Sequence, residues 1–236
     1  MAAKKKATPK SKPKKKESKF SERSKIHSPY YTSDGTRVSG VTTVLNVIAK
    51  PALIYWAWDL GIKGIDYKVF RDELGDVGTL AHEMILAHIQ KRKVDTGEYG
   101  KRLIDMAKNA FKSYLAWEKQ HTLKPLLMEK KLVSEIHRFG GRFDYLGPVD
   151  DVLTLMDFKT GERLYDNIWY QMAGYDILLR ELFPKLAPKQ FMLLNIGRSE
   201  NEQFEQGTKQ DLKLDTEIFM AALKIYQTEK RIKKGE

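Results

Sequence analysis

"LTLMDFKTG", residues 153–161, decides how the chain is read. An apolar strand here ends on an acid, Asp157, and a lysine, Lys159, two residues apart. Side chains at i and i+2 of a strand share a face, so the two charges emerge side by side. A core strand excludes charge. Either this strand end lies in water, or the pair does chemistry.

The preceding segments also read as strands, "LLMEKKLVSEI" (126–136) and "FGGRFDYLG" (139–147). A hairpin turning at Asp150-Asp151 sets Asp144 directly opposite Asp157. Two facing carboxylates repel unless something neutralises them. A divalent cation does so, and hard carboxylate oxygens suit Mg²⁺ or Mn²⁺. Lys159, on the same face, would orient or polarise a water beside it. Two alternatives stand against this. A turn at Gly147-Pro148 sets Asp144 opposite Asp151 instead, and charges at strand ends commonly do no more than decorate a solvated face.

Around these strands the pattern is helical. "YYTSDGTRVSG" (30–40) reads as a hairpin turning at Asp34-Gly35. Ser39 then caps a helix from about Val41, which continues with a break at Pro51. Asp76 caps the next helix, in which Val77, Leu80, Met84 and Ile85 have helical spacing. His82 lies on it, with Gly78 leaving room on the same face. A third helix spans about Tyr99 to Lys119. After the strands come a helix over Asn167–Leu182 capped by Asp166, two strands ("KQFMLLNIG" and "NEQFEQG") and an amphipathic helix over about Asp211–Lys233. In the first of these, Gln171 and Tyr175 are four apart and share a face. Taken singly, a helix histidine or a Gln/Tyr pair is ordinary packing. Together the elements predict one mixed α/β domain over 26–236, a central mixed β-sheet flanked by helices.

Composition narrows the class. Apolar residues make up 42% and charged residues 31%, enough for a packed core. There is no cysteine, which excludes disulfides and thiolate metal sites and suits a reducing compartment. No apolar run is long enough to span a membrane, and no apolar signal segment opens the chain. The expectation is a soluble cytoplasmic protein, in the nucleoid or an infected-cell cytoplasm. Of the net charge of +11, most sits in residues 1–25, where ten Lys and one Arg face only Glu17 and Glu22. That stretch, rich in Pro and Lys, reads as a disordered basic tail. An arm releasing counterions from nucleic acid is the favoured reading, with a nuclear import signal or a solubilising tail as alternatives.

The motifs "GTLAH", "GGRFDYLGPVDDVLTLMDFKTG" and "YQMAGY", in that order, resemble the RecB-like branch of the PD-(D/E)XK nuclease superfamily. With "VSGVTTVLNVIAKPALIYWA", the chain is similar to phage-type and mitochondrial genome-maintenance-type single-domain exonucleases of that branch. The resemblance covers roughly Tyr30 to Tyr175. It implies a restriction-endonuclease-like core and a metal held by His82, Asp144, Asp157 and the Phe158 carbonyl. Glu129 matches an acidic position present in some members. Lys159 would position the attacking water, and Gln171 and Tyr175 match the glutamine-xxx-tyrosine motif. Leu86 stands where some members carry a further acid, which weighs against a second metal held from the helix.

The activity so implied is Mg²⁺- or Mn²⁺-dependent DNA exonuclease action from a free end, single strands included, in replication, recombination or repair. Single-strand-binding or recombination proteins are the implied protein partners. The alternatives are a structure-selective endonuclease with the same site and a non-catalytic nucleic-acid-binding module. The start of the helix after Ser39, with the Thr42 and Thr43 hydroxyls, suits a second phosphate. Tyr30 and Tyr31, beside a turn, are candidates to stack bases, whereas Trp56 and Trp58 read as core. Deleting residues 1–25 is expected to weaken DNA affinity and flatten its salt dependence. Fluorescence anisotropy across a salt series checks this, and an unchanged slope overturns the arm.

Overall fold

A computed structural model describes residues 29–236, so the basic tail expected over 1–25 lies outside the described residues. Tyr30–Tyr31 (β1) and Arg37–Gly40 (β2) form the expected antiparallel hairpin. At its turn the Asp34 carboxylate accepts from the Thr36 N–H, and Gly35 takes φ 78°.

The helix expected from Val41 is two pieces. Val41–Val44 (α1) is a single turn followed by a 3₁₀ turn over Leu45–Val47. Pro51 then begins Pro51–Ile62 (α2), because a proline disfavours helical backbone in the residue before it and fits the first helical position. Ser39 does not cap α1. Gly40 holds the N-cap position without a side-chain bond, and the Ser39 hydroxyl bonds the Tyr226 hydroxyl at 2.6 Å.

Tyr67–Ile89 (α3) starts well before Asp76, which lies inside it. The cap is Asp66, whose carboxylate accepts from the Lys68 and Val69 N–H groups. Lys101–Glu118 (α4) follows. Asn167–Leu182 (α5) has the expected span, but Asp166 makes no capping bond. Its own backbone is helical (φ −56°, ψ −34°), whereas a capping residue needs extended backbone to bring its carboxylate to the free N–H groups. Trp56 packs edge-on against Tyr67, but Trp58, read as core, is 65% exposed.

The strands Leu127–Val133 (β3), Phe139–Val149 (β4), Val152–Lys159 (β5), Gln190–Asn195 (β6) and Glu205–Lys209 (β7) complete one sheet. Its order is β1-β2-β4-β5-β6-β7, with β3 also on β4. The β2–β4 and β5–β6 pairs are parallel and the others antiparallel, so the sheet is mixed, as expected. α5 is the crossover between β5 and β6. Lys213–Ile232 (α6) closes the chain. Leu155, Phe143, Leu146 and Leu193 pack under α5, α6 and α1, while Tyr145, Met156, Phe158 and Leu194 pack under α3 and α4. The sheet is thus buried on both faces, which is why β5 and β6 read as continuous apolar runs. Among the described residues no helix is long and apolar enough to cross a membrane.

The β4–β5 register is the one that matters for the site. Val149 pairs Val152 and the ladder runs back to Tyr145 opposite Met156. The turn is therefore Asp150-Asp151, and Gly147 and Pro148 lie in the ladder opposite Thr154 and Leu153. Asp150 and Asp151 both have positive φ, 49° and 65°, the signature of a tight turn matching the strand twist. Asp151→Val should cost about 1–2 kcal/mol, since a β-branched residue resists that conformation, and Asp151→Gly should cost none. Thermal melting of both variants checks this.

Candidate metal centre

The site forms where one edge of β4 is left uncovered. β5 pairs that edge only as far as Tyr145, and β2 resumes it at Phe139 and Gly140. Between them residues 141–144 face a fork. β3 covers the opposite edge in a single register, Met128 opposite Tyr145 and Lys130 opposite Phe143, with the pairing skipped at Glu129 and Asp144 between them. Glu129, Asp144 and Asp157 consequently stand at one height on three neighbouring strands, with Asp144 and Asp157 one step beyond the last β4–β5 pair.

Side-chain alternation slips at this height. Phe143 and Leu146 lie in the core under α5, yet Tyr145 lies in the core under α3 and α4. A regular strand would put Phe143 and Tyr145 on the same face. On β3 the matching residue, Glu129, has φ 49°. Asp144, opposite in face to Phe143, lies toward α3, and the slip leaves Tyr145 on that same side; His82 Nδ1 lies 3.5 Å from Asp144 Oδ2. The same oxygen accepts from the Phe158 N–H at 2.7 Å, tying the splayed strand ends together.

Ligand atoms of His82, Glu129 and Asp144 lie within 4.8 Å of one another. Asp157 is 2% exposed and forms an ion pair with Lys159. Lys159 is the one ionic partner that the described residues give to the buried Asp157 Oδ2. A buried carboxylate beside two more acids and an imidazole is a donor set that fits a divalent cation.

The electrostatics follow from burial and crowding. Burial, together with the neighbouring Asp144 charge, pushes Asp157 up to about 6 against the opposing pull of Lys159. Burial and Asp144 likewise push Glu129 up to about 7, opposed by Arg142. For Asp144 burial acts upward too, but His82, Lys159 and the Phe158 N–H outweigh it and hold the acid below its ordinary range. Burial alone would lower His82, and the Asp144 carboxylate reverses that.

These groups line a cleft of about 1040 Å³, together with Phe158, Lys159, Gln171, Tyr175 and Thr42. Gln171 Nε2 donates to the Tyr175 hydroxyl at 2.6 Å, and burial beside Asp157 and Asp144 keeps that phenol protonated. Gly78 has a specific reason. A Cβ there would come within 2.8 Å of Thr160 Oγ1, so only glycine lets α3 lie this close to the chain just past Lys159.

Among the residues expected to contact DNA, Thr42 alone lines this cleft. Thr43 is exposed on α1. The Ser39 hydroxyl is engaged by Tyr226, and α1 is too short to present the N–H groups of a phosphate site. The Tyr30 ring packs over Gly40 and Gly140 with the Lys131 ammonium 5.0 Å from its centre. Tyr31 is 52% exposed. Sequence reading missed Arg142, whose Nε lies 2.9 Å from Glu129 Oε2 inside the cleft. The spacing rule applied to Lys159 finds it, since Arg142 precedes Asp144 by two on the same strand. Arg198, also in the cleft, is held by Glu202.

No family model and no curated protein matches this chain. Among solved structures it is similar to LHK-Exo in complex with dAMP, at 13% identity and a TM-score of 0.32, over 69% of this chain and 91% of that one. The structure of the alkaline exonuclease LHK-Exo from Laribacter hongkongensis matches at 14% identity and a TM-score of 0.28, over 68% and 91%. SSO0001 matches at 11% identity and a TM-score of 0.28, over 65% and 74%.

Carboxyls raised by burial destabilise the fold as pH climbs through their folded values, here about 6 for Asp157 and about 7 for Glu129. A cation at the site competes with those protons. The rise in melting temperature on adding Mn²⁺ or Mg²⁺ is therefore expected to be small at pH 5.5 and to grow toward pH 8. Asp157→Asn should lose this rise while melting no lower than the parent in EDTA at pH 8.

Proposed function

We propose that the chain is a divalent-metal-dependent deoxyribonuclease with a PD-(D/E)XK arrangement of site residues, acting as an exonuclease from a free DNA end. One observation carries this reading. Asp157, buried and ion-paired with Lys159, emerges at a strand fork that also gathers Asp144, Glu129 and His82.

Asp144, Asp157 and His82 would hold the cation, Mg²⁺ or Mn²⁺, with the Phe158 carbonyl and Glu129 as further donors. When bound, it supplies Lewis acidity and positive charge against a phosphate. Asp157 holds Lys159 at the cleft through their ion pair. Lys159 orients the attacking water and stabilises the negative charge that grows on the phosphoryl oxygens as the new P–O bond forms and the bond to the leaving oxygen breaks. That charge is larger in the transition state than in bound substrate, so Lys159 acts mainly on turnover. Arg142 offers a planar fork suited to a phosphate oxygen pair, a ground-state contact that acts mainly on binding. The Gln171–Tyr175 pair forms the α5 wall against which the strand lies.

An endonuclease would use the same groups, and substrate topology separates the two. End-labelled linear and covalently closed circular DNA, single- and double-stranded, are incubated with Mg²⁺, Mn²⁺ or EDTA. Loss of linear forms alone, with metal alone, is expected. Lys159→Ala should lower kcat by about 10²–10³-fold. Arg142→Ala should raise KM more than it lowers kcat. Cutting of circles would replace the exonuclease reading with the endonuclease one. Binding without cutting in any metal would leave a nucleic-acid-binding module.

A further inference from the structure

α6 carries two apolar faces, and the fold uses one. Asp215, Phe219, Ala222 and Leu223 are buried against the sheet and α5. Roughly a third of the circumference away runs a second row, Leu214, Ile218, Ala221, Ile225, Thr228 and Ile232. Leu214, Ile218, Ile225 and Ile232 are 70%, 38%, 52% and 68% exposed. Ala221 and Thr228 are exposed as well.

The spacing of that row is four, three, four, three, four, the a/d alternation of a heptad repeat sustained along the whole helix. A helix that only lies on its own domain needs a single stripe. Ile218, Ile225 and Ile232 take every a position. β-branched residues at a favour parallel two-stranded packing, where like positions meet across the axis.

The flanking charges discriminate between the two orientations of a second copy. In a parallel, in-register pair each g residue faces the e residue five positions on in its partner. Lys224 then meets Glu229 of the partner subunit, a contact made twice by symmetry. An antiparallel pair instead opposes Lys224 to Lys224 of the partner subunit at the middle of the seam, with Glu217 meeting Arg231 of the partner subunit on either side. The seam would bury on the order of 1,000 Å² in total, at the low end of specific interfaces.

We propose that α6 pairs with α6 of a second copy as a parallel, in-register two-stranded seam, making the protein a weak, concentration-dependent homodimer. The surface is separate from the metal cleft and independent of the function proposed for it.

The test is sedimentation equilibrium on the full chain, at concentrations from about 5 to 500 µM, the span in which so small an interface dissociates. A monomer–dimer equilibrium is expected. Ile225→Asp, on the exposed face, should weaken it at least tenfold with the circular dichroism spectrum unchanged. Lys224→Glu should weaken it, and Lys224→Glu combined with Glu229→Lys should restore it. The chain has no cysteine, so Ile225→Cys introduces a single thiol, which mild oxidation should convert to a disulfide-linked dimer. A monomer at every concentration overturns the proposal. So does a dimer indifferent to Ile225→Asp, and so does a charge swap or cysteine that fails to respond as stated.

Discussion

Three carboxylates on three adjacent strands, at one height and withdrawn from water, are the arrangement on which the rest of the site depends. Left alone they would repel strongly, since burial weakens the screening that lets surface acids coexist. The chain meets them from every side. Lys159 lies on Asp157, Arg142 on Glu129, and His82 with the Phe158 N–H on Asp144. The balance is incomplete, because burial still holds Asp157 and Glu129 above the ordinary carboxylate range. Folding alone therefore leaves negative potential directed into the cleft. That residue of unmet charge is what a cation, and behind it a phosphate, would meet.

The architecture serves this point. Burying both faces of the sheet requires helices on both, and the two layers deliver different groups. α3, above one face, brings His82, and Gly78 lets it sit against Thr160. α5, the crossover on the other face, brings Gln171 and Tyr175. The crossover through α5 is what lets β6 run parallel beside β5. The site thus stands at the strand ends where both layers converge, and the fork between β5 and β2 opens it. An uninterrupted β4 edge would have paired those backbone groups and closed the cleft.

Much of this was legible because period-two geometry and turn chemistry are local. Asp150-Asp151 marks the turn, the turn fixes the register, and the register brings Asp144 to Asp157. What was not legible depended on long-range competition. Asp76 resembles a cap, but Asp66 starts α3 earlier, where Tyr67 and Phe70 of its first turn pack their rings on Trp56 of α2. Ser39 reads as a cap until α6 brings Tyr226 to its hydroxyl. The alternation slip at Asp144 has no composition signal at all. It follows from β5 parting from β4 and is visible only once both partners are placed. Arg142 is a different failure: the same spacing that selected Lys159 applied to it.

Glu129 shows how the slip and the chemistry are linked. A non-glycine residue at φ 49° inside a strand costs on the order of 1 kcal/mol, and such strain persists only where the surroundings over-determine it. Here two demands act on one side chain. Arg142 pulls its carboxylate along the cleft wall, while its position opposite Asp144 holds it within reach of His82. Alternation carried unbroken from Met128 and Tyr145 would turn Glu129 and Asp144 away from α3. The left-handed backbone at Glu129 and the broken alternation at Asp144 are therefore one adjustment seen on two strands, and its effect is to gather the acids on the side where the imidazole waits.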